Sequence, residues 1–348
     1  MVAFPSLRKN TKAWASRLKG GLHGPLFFGL QMRDNKHAIV FSSDKNWLPH
    51  TRVFIEQLQK LRLPDIDLIY CTSESEQIDL PKPVIVERIK NIGEERELSA
   101  ITRIPRAAYL RMSMPTHFRG RYKKLLYLDV DIAFFRRNLK EVFNIELLDQ
   151  HAIAAVRVNR QWLDPSRMLP DFKESGLGPA PSFNSGVMLI DPEKWYQFSV
   201  DARIEHILNT QGEHFYDVDQ SVLNLAMRGL WSEISPVWNW MYQQKRGFNA
   251  FRYGAEVIHF AGKQKPWERN KFIPNRFVKP YFKLFEENVE LARKLPKLHS
   301  PREEMKMLYG LYQESREDQA KIREYIKRFE RRTSSLNPEI YGQYSALT

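Results

Sequence analysis

Apolar residues in this 348-residue chain gather into short unbroken runs, separated by segments in which they recur at helical spacing. His37-Ala-Ile-Val-Phe-Ser42 is the first run, and Asp44-Lys-Asn46 reads as the loop at its end. A helix is expected from Pro49 to Arg62, then strands at Leu68 to Cys71 and Val84 to Val86. Ala100 to Met112 reads as helical, with an interruption at Pro105, which lacks a backbone donor. Lys124 to Phe135 contains an apolar run of the kind that is covered on both faces, and it carries Asp129 and Asp131 at its exit from the core. Ala152 to Val156 and Ser182 to Ile190 are further strands, joined by a long loop over Asn159 to Pro181 rich in Pro, Gly and charge. Asp191-Pro192-Glu193 is a helix start with a capping side chain, proline at the first position and an acid in the first turn; that helix is expected to reach about Leu208. Asp219 to Ala226 opens another helix, and Glu256 to Phe260 is a late strand.

Strands alternating with helices predict an α/β fold with a parallel sheet, in which ligands sit beyond the carboxyl ends of the strands. Asp44 and Asp129 both lie at such ends. From Pro280 onward the pattern turns helical and charged, with breaks near Pro296 and Pro301. In the last helix Ile322, Tyr325, Ile326 and Phe329 form one apolar stripe flanked by Lys321, Arg323, Lys327 and Arg328. Such a stripe either packs on the protein's own core or docks on an anionic membrane surface.

Composition narrows the class. At 43% hydrophobic and 12% aromatic residues the chain can bury a core, which excludes disorder throughout. The lone Cys71 allows no internal disulfide. No run is long enough to span a membrane, and the first thirty residues lack the apolar centre of a signal peptide, so a soluble, intracellular protein is expected. A net charge of +13 calls for an anionic partner. Residues 1–36 contribute Arg8, Lys9, Lys12, Arg17, Lys19, Arg33 and Lys36 against Asp34 alone. Zinc-finger spacing, RNA-binding signatures and zipper heptads are missing, so nucleic acid is not the expected partner.

The pair Asp129 and Asp131 is the centre of the candidate chemistry. Two aspartates one residue apart at a strand end share a face and can converge on one hard cation, which offsets their mutual repulsion and their desolvation. The plain alternative is a solvated strand end followed by a turn. An apolar strand running into Asp-x-Asp also fits a haloacid-dehalogenase-type phosphatase, although that class places the motif near its domain start. His259 ends a late strand and supplies a third candidate ligand, and Lys265 supplies a point charge for phosphate.

Phe41-Ser-Ser-Asp-Lys-Asn46, Tyr127-Leu-Asp-Val-Asp131, Phe183-Asn-Ser-Gly-Val187, Asp219-Gln-Ser-Val-Leu-Asn224 and His259-Phe-Ala-Gly-Lys-Gln-Lys-Pro-Trp267, in this order, resemble glycosyltransferase family eight. That family includes glycogenins and bacterial galactosyl- and glucosyltransferases of lipopolysaccharide. Ser221 departs from the Asp-Gln-Asp of many relatives. The resemblance implies a GT-A type nucleotide-diphospho-sugar transferase fold with a Rossmann-like mixed sheet. The similarity covers roughly His37 to Trp267; with the charge and helical pattern at the two ends, the chain divides into a basic N-terminal segment over residues 1–36, a catalytic domain over 37–279 and a helical basic extension over 280–348.

By the same resemblance, Mn²⁺ or Mg²⁺ is held by Asp129, Asp131 and His259. Ser42, Asp44 and Asn46 line the uridine site. Arg111, in a Tyr-x-Arg match, reaches the donor, and Gly262 lets backbone approach it. Asn184, Asp219 and Gln220 grip the donor sugar, with Asp219 and Gln220 the catalytic pair. The implied activity is retaining, metal-dependent hexosyl transfer from UDP-glucose or UDP-galactose to a saccharide acceptor such as lipopolysaccharide or another lipid-linked glycan. Basic ends without an anchor fit a cytoplasmic enzyme, peripheral on the inner membrane face. A sugar- or membrane-binding module that keeps the fold without catalysis is the other reading.

Overall fold

The computed structural model describes residues 36–75, 78–90, 106–168, 170–174, 180–210, 218–268, 272–285, 291, 293 and 295–338. Of the basic N-terminal segment 1–36, only Lys36 is among them; the opening of the helix expected from Ala100 also lies outside the described residues.

Eleven strands are described: β1 (His37–Phe41), β2 (Ile66–Thr72), β3 (Ile85–Arg88), β4 (Lys124–Leu128), β5 (Ile132–Phe134), β6 (Ile153–Arg157), β7 (Phe183–Ile190), β8 (Trp231–Ile234), β9 (Trp240–Met241), β10 (Val257–His259) and β11 (Ser335–Leu336). Eight form one sheet in the order β11-β8-β6-β7-β4-β1-β2-β3, and β5-β10-β9 form a second, small sheet. The large sheet is mixed, not purely parallel, because β7 runs antiparallel to both β4 and β6. Alternation along each strand divides its core: Ile39, Phe41, Leu126 and Leu128 face one side, Val40, Leu125 and Tyr127 the other.

Helices cover both faces. Those used below are α1 (Leu48–Gln59), α2 (Arg106–His117), α3 (Arg160–Leu163), α4 (Pro170–Glu174), α5 (Pro192–Gln197), α6 (Val200–Thr210), α7 (Val218–Ala226), α8 (Gly247–Arg252), α9 (Asn275–Phe285), α10 (Pro301–Ser315) and α11 (Gln319–Lys327). Asp191 caps α5 as expected, accepting from the backbone of Glu193 and Lys194. The single helix expected to reach Leu208 is two helices, since Ser199 takes a left-handed φ of 53° between them. The expected long loop over Asn159 to Pro181 contains the short helices α3 and α4, anchored by buried Trp162 and Phe172. Pro280 sits inside α9 instead of opening a helix, and Pro301 begins α10 behind a Ser300–Glu303 capping box.

The apolar stripe of α11 belongs to the core. Ile322 and Tyr325 are fully buried, and the Tyr325 ring stacks on Trp162 at 5.7 Å. Its hydroxyl donates to Glu233 at 2.6 Å, and Arg157 donates two hydrogen bonds to the same carboxylate at 2.8 Å each, with Arg157 and Glu233 both fully buried. Strand β11 then pairs antiparallel with β8 and closes that edge of the sheet. This stripe is therefore unavailable to a membrane, and no helix among the described residues is long and apolar enough to cross one.

Arg157 carries two of the hydrogen bonds on the buried Glu233 carboxylate, and its loss leaves Tyr325 and Arg328 to hold that charge. Arg157→Met is expected to lower unfolding free energy by about 3–5 kcal/mol, read from urea denaturation. A loss under about 1 kcal/mol would mean that Tyr325 and Arg328 alone suffice to hold the Glu233 charge.

Candidate active site

The Asp129–Asp131 link is where the chain leaves the large sheet at the end of β4 and enters the small one at β5. Pairing on each side sets its neighbours. Leu128 lies opposite Val187, so the Asp129 backbone N–H meets the Gly186 carbonyl at 2.8 Å. Ile132 lies opposite His259, and the Phe260 N–H donates to the Asp131 carbonyl at 3.0 Å. Three segments distant in sequence thus meet at one point.

His259 Nε2 is 3.1 Å from Asp131 Oδ1 and 3.7 Å from Asp129 Oδ2. One ligand atom from each residue lies within 4.8 Å of the others. Asp131 Oδ1 is buried with no hydrogen-bond partner, a costly condition that a cation would relieve. Burial works against the charge on Asp131, yet His259 and Lys265 beside it hold its carboxyl well below the usual range. Two carboxylates and an imidazole suit a divalent ion of borderline hardness, so the residues present fit the group the sequence implied.

Gly186 is required here for space. A Cβ on it would lie 2.2 Å from His259 Cε1 and 2.5 Å from Asp129 Oδ2. The stretch Phe183 to Val187 is marked by its motif, but the reason for its glycine is not legible in the sequence, because only the pairing of β7 with β4 brings Gly186 against the late histidine.

Arg111, from α2, joins two of the expected site residues. Its guanidinium donates to Asp129 Oδ1 at 2.9 Å and contacts Asp219 Oδ2, at the start of α7, at 3.1 Å. It lies over the Tyr127 ring at 4.6 Å, and the Tyr127 hydroxyl donates to Asp129 Oδ1 at 2.7 Å. Burial opposes the charge of Arg111, but Asp129 and Asp219 more than offset it. Burial likewise pushes the Asp219 carboxyl up, against the pull of Arg111.

Asn184 donates to Gln220 Oε1 at 2.9 Å, so these two expected residues are also together. Lys265 reaches Asp131 Oδ2 and the Phe260 carbonyl, each at 2.5 Å, which ties it to the carboxylate expected to hold metal. Ser42, Asp44 and Asn46 follow β1, where Asp44 Oδ1 accepts from the Asn46 backbone at 2.9 Å and caps a short turn. Gly262 is exposed, and a Cβ there would meet nothing within 4 Å, so no protein contact demands glycine.

A mixed sheet with an Asp-x-Asp crossover and a histidine on the neighbouring small sheet is the arrangement expected of a GT-A type fold. Residues 38–271 match the profile of Glycosyl transferase family 8. The chain belongs to that family, which replaces the phosphatase reading. Over 188 residues it is 27% identical to General stress protein A of Bacillus subtilis, a match covering 50% of this chain and 63% of that protein. Among solved structures, the bifunctional glycosyltransferase WbbM superposes with TM-score 0.57 at 16% identity over 79% of this chain and 53% of WbbM. The galactosyltransferase LgtC, solved with donor and acceptor sugar analogues, superposes with TM-score 0.51 at 20% identity over 76% of this chain and 98% of LgtC. The chain thus spans less than two thirds of the length of General stress protein A and of WbbM.

Gly186→Ala is expected to weaken Mn²⁺ binding at least about tenfold in isothermal titration, because the new methyl displaces His259 or Asp129. Unchanged affinity would show that the cluster is not the metal site.

Proposed function

We propose that the protein is a retaining hexosyltransferase that moves glucose or galactose from a UDP-sugar to a saccharide acceptor. The observation that carries this reading is the buried cluster of Asp129, Asp131 and His259, whose Asp131 Oδ1 has no hydrogen-bond partner. A divalent cation, Mn²⁺ or Mg²⁺, held there would act as a Lewis acid for the departing diphosphate. Lys265 turns from Asp131 toward the phosphates when donor binds, adding a second positive charge. Ser42, Asp44 and Asn46 bind base and ribose at the end of β1, and exposed Gly262 leaves room for the diphosphate to approach the backbone. A cluster this complete argues against a module that retains the fold without catalysis.

The protein's own groups favour same-face attack. Double displacement needs a free carboxylate behind the anomeric carbon, but Asp219 is engaged by Arg111 at 3.1 Å, and its neighbour Gln220 is a neutral amide. In the same-face route the bond from the anomeric carbon to the diphosphate oxygen breaks, and its electron pair leaves with the diphosphate. The acceptor oxygen bonds to that carbon on the same side and gives its proton to the leaving oxygen. Gln220 steadies the oxocarbenium-like centre, while Asp219 and Asn184 grip sugar hydroxyls. Lipid-linked saccharide is the acceptor class that fits the +13 charge, through attraction to an anionic membrane face. With the α11 stripe buried, that attraction rests on exposed basic residues.

Incubating the protein with UDP-glucose or UDP-galactose and a saccharide acceptor is expected to yield an α-linked product, read from the anomeric proton coupling in NMR. Turnover should stop in chelator, and Gln220→Ala should slow it on the order of a hundredfold. A β-linked product would refute retention, and full turnover in chelator would refute the metal assignment. A glycosyl adduct trapped on Asp219 would refute the same-face route while leaving retention standing.

A further inference from the structure

Asn239 is fully buried between a short turn and β9, in a stretch whose sequence gives no sign of chemistry. Its side chain lies between the metal cluster and the sugar-gripping amides. His259 Nδ1 is 3.0 Å from Asn239 Oδ1, Asn239 Nδ2 is 2.8 Å from Asn184 Oδ1, and Asn184 Nδ2 is 2.9 Å from Gln220 Oε1. One unbroken line of hydrogen bonds therefore joins the imidazole to Gln220.

Backbone groups decide the direction of that line. The Gly186 N–H can only donate, and it points at Asn184 Oδ1 at 3.2 Å; the Ser185 N–H points at Gln220 Oε1 at 3.3 Å. Asn184 must then present its oxygen toward Asn239, which must answer with its NH₂ group. The Asn239 oxygen is left facing His259 Nδ1, so that nitrogen carries the proton. In the neutral ring the lone pair of His259 therefore lies on Nε2, the atom that faces Asp129 and Asp131.

We infer that Asn239 is a positioning residue. It locks His259 in the Nδ1–H tautomer that can ligate a cation, and it couples that ligand to the orientation of Gln220. The inference rests on the metal-site reading of the proposed function and adds a residue and a coupling to it.

Two substitutions separate the two tasks. Asn239→Leu removes both the acceptor and the donor. Asn239→Asp keeps an acceptor for the Nδ1 proton but cannot donate to Asn184. Nitrogen-15 NMR of the histidines in the metal-free full chain, at a pH high enough to leave the imidazoles neutral, is expected to show the Nδ1–H tautomer of His259 in the parent and in Asn239→Asp, and its loss in Asn239→Leu. Titration with Mn²⁺ alone, followed by electron paramagnetic resonance, should show affinity falling about 10–100-fold in Asn239→Leu and little changed in Asn239→Asp. Asn239→Asp should nevertheless lose about tenfold or more in kcat, because Gln220 is no longer held through the line. Parent-like Mn²⁺ affinity and tautomer in Asn239→Leu would overturn the first task, and parent-like kcat in Asn239→Asp would overturn the second. If Asn239→Leu fails to fold, the parent tautomer and the Asn239→Asp kinetics still decide. A parent protein that takes up no Mn²⁺ would instead refute the metal reading, and the tautomer would then test Asn239 separately.

Discussion

Two like charges at the crossing point between two sheets set the terms for the rest of this structure. Asp129 ends the large sheet and Asp131 begins the small one, so neither can move away from the other without unpairing a strand. Their repulsion and desolvation must be offset from outside the link. Arg111 and Tyr127 answer Asp129, while Lys265 and His259 answer Asp131. One oxygen, Asp131 Oδ1, is left without a hydrogen bond. That residual deficit is one a cation would relieve, and it sets the point apart from a fully satisfied ion-pair network.

Around that link the protein is built to hold fixed positions. Gly186 gives up its side chain so that β7 can press against the imidazole. The buried Arg157–Glu233 pair, with Tyr325 and α11, closes the far side of the sheet that carries β6 and β7. Helix α2 brings Arg111 between Asp129 and Asp219, which places the carboxylate of one motif within reach of another. Backbone paired on both sides of the link suits chemistry that depends on preorganised charge.

Much of this was legible because local pattern and final environment agree. Unbroken apolar runs such as Leu125 to Leu128 became strands buried on both faces, and Asp129, Asp131 and His259 converge as their strand-end positions implied. The rest depended on contacts that no local pattern encodes. Trp231-Ser-Glu-Ile234 looks too polar for an inner strand until Arg157, two residues along β6 from Ala155, the register partner of Glu233, bonds to that carboxylate. Strands β9 and β11, two residues each, exist only through pairing with distant partners. The stripe of α11 reads the same whether it meets membrane or core, and Trp162 decided it. Gly186 and Asn239 matter for where a third segment lies, which neither their identity nor their neighbours disclose.

The most direct test of the account is a crystal structure of the full chain grown with Mn²⁺ and UDP, with diffraction collected to record the anomalous signal of manganese. The account predicts one strong anomalous peak bonded to Asp129, Asp131 and His259 Nε2, with diphosphate oxygens completing the coordination and Lys265 released from Asp131. Manganese bound elsewhere, or UDP bound with the Lys265–Asp131 pair intact and no metal between the carboxylates, would contradict it.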